Sequence, residues 1–325
     1  MKLYTNSALL SLFEQHIAEM AIPEEPHYLY APIKYGLEVG GKRIRPILLM
    51  LTYNLYAEDI ERAIVPAMAV EIFHNFTLLH DDIMDNASVR RGRPSVPAKW
   101  GNNIAILSGD AMLILAYKYL QRTSSERLPQ IFEQFNKMAA EVCEGQQFDM
   151  DFETKDKVSV EEYMRMIELK TAALLAGSAE IGALLAGASD RDCQNLYNFA
   201  REIGLAFQLQ DDLLDSYGDN QLGKKIGGDI LEGKKTILMI EAFSRATAEQ
   251  REVLCTTHLR KDLSDEEKIS TIKGLYDALG VPERVEQQIA KIFEKALAIL
   301  DNLSVAADRT VELRKYAENL VGRKS

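Results

Sequence analysis

Apolar residues in this chain recur every three to four positions, the spacing of one helix face. Leu10, Phe13, Ile17 and Met20 keep it near the N-terminus. Val285, Ile289, Ile292, Phe293, Ala296, Ile299 and Leu303 keep it near the C-terminus. Helix starts carry their own chemistry. Ser159 with Glu162, and Ser264 with Glu267, have the spacing of capping boxes. Gly280 followed by Pro282 ends one helix and opens the next. No convincing period-2 run predicts a strand. The polar stretch 244–270 reads as surface helices and loops, not a linker. The pattern predicts one all-α domain over residues 1–325, a bundle of ten or more helices.

Composition agrees. Nineteen glycines and nine prolines are few for 325 residues, so turns are scarce. A hydrophobic share of 47% with 27% charged residues supplies a sizeable core and excludes disorder as the main state. The net charge of −11 argues against a general nucleic-acid binder. It also means that an anionic substrate must be held by local cations or metal ions. Cys143, Cys193 and Cys255 lie far apart without a C-x-x-C, which predicts reduced thiols in a cytoplasmic protein. No signal-peptide pattern is seen. The most span-like stretch, 172–189, is interrupted by Glu180 and is too short for a membrane span.

One sequence echo carries chemistry. Leu79-His80-Asp81-Asp82-Ile83-Met84-Asp85 is matched by Leu209-Gln210-Asp211-Asp212-Leu213-Leu214-Asp215, and both are D-D-x-x-D after an apolar helical run. Residues three and four apart share a helix face, so each copy gathers carboxylates at one spot. They repel one another, and the negative end of the helix dipole opposes them again. A divalent cation relieves both effects. Oxygen-only donors favour Mg²⁺ or Mn²⁺, and two such clusters facing each other would clamp a diphosphate. Basic groups accompany them: Gly40-Gly41-Lys42-Arg43-Ile44-Arg45, Arg90-Arg91-Gly92-Arg93, Lys224-Lys225 and Lys234-Lys235. Arginine offers phosphate a planar fork and lysine a point charge. His74 lies seven residues, about two turns, before Asp81 on the same apolar helix.

Together the ordered elements GGKRIRP, EIFHNFTLLHDDIMD, RRGRP, LKTAALLAGSAEIGA, FQLQDDLLD and LGKKIGGDILEGKKT resemble the trans-isoprenyl diphosphate synthases, or polyprenyl synthetases, over roughly Gly36 to Thr236. The resemblance implies antiparallel helices around a deep central cavity, a homodimer, and Mg²⁺-dependent head-to-tail condensation of isopentenyl diphosphate with an allylic diphosphate. About three Mg²⁺ ions are implied, with Mn²⁺ able to substitute. Asp81 and Asp85 would bind metal from one side and Asp211 from the other, with Asp82, Asp212 and Asp215 completing the motifs. Lys42, Arg45, His74 and Arg91 would hold isopentenyl diphosphate. Arg90, Lys170, Gln208, Lys224 and Lys234 would hold the allylic diphosphate, with Thr171 beside it. Which of Lys224 and Lys225 reaches phosphate stays open. An apolar cavity would shield the allylic cation from water, and Lys170, Thr171 and Gln208 would place fixed dipoles near it.

Chain length is a matter of depth along the first-motif helix. Phe76 lies five residues before Asp81, about 7.5 Å along the axis, and Phe73 eight before, about 12 Å. Phe76 with small Thr77 beside it predicts a floor and a short product, C15 or C20. The alternative is that Phe76 faces a neighbouring helix and gates nothing. Rival functions are a longer-chain synthase, a terpene cyclase on a related fold and a non-catalytic partner subunit. GGKRIRP with His74 and Arg91 opposes the cyclase, and six aspartates oppose the inert subunit.

Overall fold

The structure, a computed structural model, describes residues 2–218 and 226–322. In chain order the helices are α1 (Asn6–Ala18), α2 (His27–Glu38), α3 (Ile44–Asn54), α4 (Glu61–Met84), α5 (Val96–Trp100), α6 (Asn102–Leu120), α7 (Leu128–Thr154) and α8 (Val160–Ile167). They continue as α9 (Ala173–Leu185), α10 (Asp190–Tyr217), α11 (Gly228–Glu232), α12 (Ile237–Arg245), α13 (Ala248–Thr256), α14 (Asp265–Ala278), α15 (Val281–Leu300) and α16 (Val311–Val321). The all-α expectation holds. Among the described residues the strands are only β1 (Val89–Arg90) and β2 (Arg93–Pro94), an antiparallel pair with Val89 opposite Pro94. Internal contacts divide the chain into two compact units. Unit 1 is Met1–Asn136, Gly177–Tyr197 and Leu303–Leu313; unit 2 is Lys137–Ala176, Asn198–Asn302 and Arg314–Ser325.

In unit 1, α3 buries every residue from Pro46 to Asn54. Each large aliphatic chain so buried is worth about 1.5–3 kcal/mol. A Cβ added at Gly182 would sit 2.2 Å from the Leu49 carbonyl oxygen and 2.3 Å from Thr52 Oγ1. Only glycine allows that approach, and overpacking here costs about 1–3 kcal/mol. Of the described helices, α4 alone is long and apolar enough to cross a membrane, and 67% of its apolar window is buried inside the fold. Residues 172–189, the most span-like stretch by sequence, contain only the 13-residue helix α9. Asp85 caps the C-terminal end of α4, its N–H bonded to the Asp81 carbonyl, so the first motif does stand at a helix C-terminus.

In unit 2 the capping box expected at Ser159 and Glu162 opens α8, and the one at Ser264 and Glu267 opens α14. Gly280, at φ 63°, caps α15 with Pro282 in its first turn, and Val281, Val285, Ile289, Ala296 and Leu300 form its buried stripe. Between α8 and α9 the helix widens into a π turn, Glu168–Ala172. Such single turns are rare and concentrate at functional sites. Two glycines bracket this one. A Cβ at Gly145 would lie 2.2 Å from the Lys170 nitrogen, and one at Gly204 would lie 2.6 Å from Ala172 Cα.

Candidate active site

The first motif belongs to unit 1. Asp81 is partly buried, Asp82 buried and Asp85 exposed. After Asp85 the chain turns back through an Ala87 N–H to Asp82 carbonyl bond of 2.9 Å, and the hairpin returns Arg90 to the motif. Arg90 Nε donates to Asp82 Oδ1 at 2.8 Å, and its Nη2 donates to Asp81 Oδ2 at 3.3 Å. Burial pushes the Asp82 carboxyl above its usual range; Arg90 opposes that shift and Asp81 adds to it. The spacing D-D-x-x-D therefore separates into two jobs. Asp82 is a buried ion-pair anchor, while Asp81 and Asp85 stand further out.

Beside it lies a cationic pocket. A Cβ at Gly41, where φ is 148°, would lie 2.5–2.7 Å from the Arg91 guanidinium. Gly41 is thus the floor on which Arg91 rests. Arg45 Nη1 donates to His74 Nε2 at 3.0 Å. Arginine only donates, so Nε2 accepts and the imidazole proton belongs on Nδ1. Burial holds the His74 pKa well below its usual value, helped by Arg45, Arg91, Arg90 and Arg43. A neutral histidine among guanidinium groups suits an anion site. Lys42 is exposed in the turn before α3. Arg43, between these residues in sequence, points elsewhere. Its φ is 46°, and it donates to Glu14 Oε1 at 2.8 Å, Glu71 Oε1 at 2.7 Å and the Leu37 carbonyl at 2.9 Å. It fastens α1, α2 and α4 to the start of α3, a role the basic run alone did not reveal.

The expected floor residues share α4. Phe73 is buried, and Phe76 is partly buried with its ring 4.7 Å from His80 and 5.6 Å from Phe73. Phe73 in turn meets Phe135 of α7 at 5.5 Å. The Thr77 hydroxyl donates to the His74 carbonyl at 2.8 Å.

The second motif belongs to unit 2. Asp211 is exposed, Asp212 buried and Asp215 partly buried. Asp215 accepts the Asp229 N–H at 3.1 Å. Asp212 takes the Tyr163 hydroxyl, Gln208 Nε2 at 3.0 Å and the Ile237 N–H at 3.3 Å. Burial pushes its carboxyl up to about 7 despite those donors. The Thr171 hydroxyl donates to Gln208 Oε1 at 2.9 Å. Lys170, in the π turn, pairs with Asp149 at 2.5 Å, and Lys234 lies 4.0 Å from Asp229. Thr171, Gln208 and Asp212 are therefore brought together in one hydrogen-bonded chain. Lys224 and Lys225 lie outside the described residues. Tyr163, Asp149 and Asp229 are participants that sequence reasoning missed. A buried tyrosine on an apolar helix face carries no local mark of its distant partner.

Residues 26–276 match the Polyprenyl synthetase family. The chain is 43% identical over 232 residues to the geranylgeranyl diphosphate synthase of Methanosarcina mazei, covering 70% of this chain and 72% of the relative. It is similar to a crystal structure of geranylgeranyl pyrophosphate synthase, with TM-score 0.93, 39% identity and coverage of 99% and 100% of the two chains. It is also similar to a polyprenyl synthase from Caulobacter crescentus crystallised with calcium and isoprenyl diphosphate, with TM-score 0.87, 28% identity and coverage of 98% and 96%. The chain belongs to the polyprenyl synthetase family.

Proposed function

We propose that this protein is a prenyltransferase that joins isopentenyl diphosphate head-to-tail to an allylic diphosphate. The products are a trans-prenyl diphosphate of C15–C20 and pyrophosphate. The observation that carries the reading is the division of labour within the acidic motifs. Each copy buries its second aspartate more deeply than its first, with Asp82 and Asp212 buried, Asp81 partly buried and Asp211 exposed, and a neutral His74 sits among arginines beside the first copy.

The outward donors Asp81, Asp85 and Asp211 are carboxylates, an oxygen-only set that suits Mg²⁺ and also Mn²⁺. Mg²⁺, about three ions by family resemblance, would neutralise the diphosphate as it leaves. Arg90, Lys170, Gln208, Lys224 and Lys234 hold the allylic diphosphate in this reading. Lys42, Arg45, His74 and Arg91 hold isopentenyl diphosphate. When the allylic C–O bond breaks, the electron pair leaves with the diphosphate. Thr171 and Gln208 direct dipoles at the carbocation, and the isopentenyl double bond attacks it. The departing diphosphate takes the proton. Phe76, backed by Phe73 and with Thr77 beside it, sets the length, so Phe76→Ala lengthens the product.

The two units serve one catalytic domain in this reading, and the protein works in the cytoplasm as a homodimer. Ile106, Leu107 and Ile114 of α6 are 45–59% exposed, and that stripe is the proposed dimer contact. Product chromatography tests the whole. Isopentenyl diphosphate with C5, C10 or C15 primers and Mg²⁺ yields C15–C20 diphosphates, and chelation with EDTA stops the reaction. No incorporation by the purified, folded chain overturns the proposal. Light scattering that shows a monomer overturns the dimer alone.

A further inference from the structure

The hydrogen bonds around Thr171 have a direction. A threonine hydroxyl has one proton and two lone pairs. Here the proton goes to Gln208 Oε1 at 2.9 Å, so only lone pairs remain for anything else Thr171 faces. That outcome depends on the orientation of the Gln208 amide. Its nitrogen donates to Asp212 Oδ1 at 3.0 Å, which turns its oxygen to Thr171. If the amide flips, its nitrogen donates to Thr171 instead, and the hydroxyl proton turns outward. Asp212 prevents this because its carboxylate offers Gln208 an acceptor. Asp212 is itself held by the buried hydroxyl of Tyr163 and by the Ile237 N–H at 3.3 Å.

We propose that Tyr163 and Asp212 are a positioning pair that fixes the direction of the Gln208 amide, so that Thr171 presents lone pairs to the allylic cation. The proposal rests on the prenyltransferase reading. Tyr163 touches no substrate in this scheme. It acts through three consecutive hydrogen bonds, and its effect falls on the charge-separated transition state instead of on substrate binding. Fixed dipoles aimed at developing charge act in this way. The π turn is part of the device, since Thr171 lies within it.

A double-mutant cycle tests the chain of action. Tyr163→Phe keeps the ring and removes the hydroxyl. It lowers kcat about tenfold and leaves both KM values within about twofold. Thr171→Val removes the far end of the chain. In that background Tyr163→Phe changes kcat less than about twofold, because the two residues act as one unit. Losses that multiply in the double variant overturn the pair. So does an unchanged kcat in Tyr163→Phe, or a fall in kcat matched by parallel changes in KM and melting temperature. If Tyr163→Phe yields no folded protein, Tyr163→Met, which also removes the hydroxyl but fills the site with a flexible side chain, replaces it in the same cycle, with the same coupling expected and multiplying losses again overturning the pair. Wild-type protein that fails to condense the substrates overturns the functional reading itself. Wild-type turnover with multiplying variants overturns only the positioning pair.

Discussion

The two D-D-x-x-D copies read identically and are built differently. In unit 1 the buried second aspartate, Asp82, is answered by a cation, Arg90. In unit 2 its counterpart, Asp212, is answered by neutral donors: a tyrosine hydroxyl, an amide and a backbone N–H. Burial raises both carboxyl pKa values, but only Asp82 has a guanidinium opposing the shift. The first copy is therefore an ion pair bound to a hairpin. The second is a hydrogen-bond hub that orients Gln208. One sequence pattern serves an electrostatic clamp in one place and a dipole-setting device in the other.

The largest expected effect tests what the copies share. Alanine at Asp81 or at Asp211 lowers kcat by about 10³-fold or more, because each removes an outward carboxylate that would hold metal. Incorporation of labelled isopentenyl diphosphate at saturating substrate checks it. Normal turnover by Asp211→Ala would show that the second copy holds no essential metal.

The next effect separates the copies. Arg90→Met leaves the Asp82 carboxylate buried without its cation and costs about 2–3 kcal/mol of stability near neutral pH. With its folded-state pKa raised further, Asp82 takes up a proton as pH falls, so the deficit shrinks on acidification. Asp212→Asn responds in the opposite sense. The Asp212 carboxyl, raised to about 7, contributes stability that is full below about pH 4 and is lost as pH rises through about 7. Relative to wild type, the asparagine variant therefore gains between pH 5 and pH 8. Urea unfolding in EDTA across that range measures both slopes. Parallel slopes would erase the distinction between clamp and hub.

A smaller pH effect belongs to unit 1. His74 is held neutral by burial and by its arginine neighbours. Its folded-state pKa lies below that of the unfolded chain, so acidification below about pH 6.5 favours the unfolded chain. The penalty is about 1.4 kcal/mol for each pH unit while the folded imidazole stays neutral. His74→Gln removes this slope. Urea midpoints at pH 5.5 and pH 7.5 check it, and equal acid sensitivity in the two proteins would mean that His74 is protonated in the fold.

What could be read in the sequence was local. Capping boxes at Ser159 and Ser264 and the Gly280–Pro282 start depend on residues within a turn or two, and all are present. Of the stripe expected near the C-terminus, Val285, Ile289 and Ala296 are buried, Ile292, Phe293 and Ile299 are partly buried, and Leu303 is buried beyond the end of α15. The aspartate and arginine sets could be picked out by their spacing, but among the described residues no three His, Cys, Asp or Glu side chains are gathered as a metal-binding group. Long-range partners could not be picked out. Arg43 looked like a member of the basic cluster, yet 28 residues separate it from its buried partner Glu71. Asp212 and Tyr163 are 49 residues apart. The π turn escaped because a widened turn leaves the apolar spacing on either side intact, and the glycines packed against it, Gly145 and Gly204, are distant in sequence. The hairpin escaped because its strands are two residues long, too short for period-2 alternation to register.

The smallest effect contrasts a glycine from each unit. Gly145 has no room for a Cβ, while one added at Gly36 of α2 meets nothing within 4 Å. Alanine at Gly36 restricts the unfolded chain and adds helix propensity, so Gly36→Ala raises stability by about 0.5 kcal/mol. Gly145→Ala goes the other way, because the backbone of the π turn has to shift before Cβ fits. The loss of stability is accompanied by a fall in kcat, since Lys170 and Thr171 move with that backbone. Melting temperatures and turnover of the two variants decide the matter. If Gly145→Ala lost stability while its surviving folded fraction kept full turnover, the π turn would be packing alone, and the direction of the Thr171 hydroxyl would not depend on it.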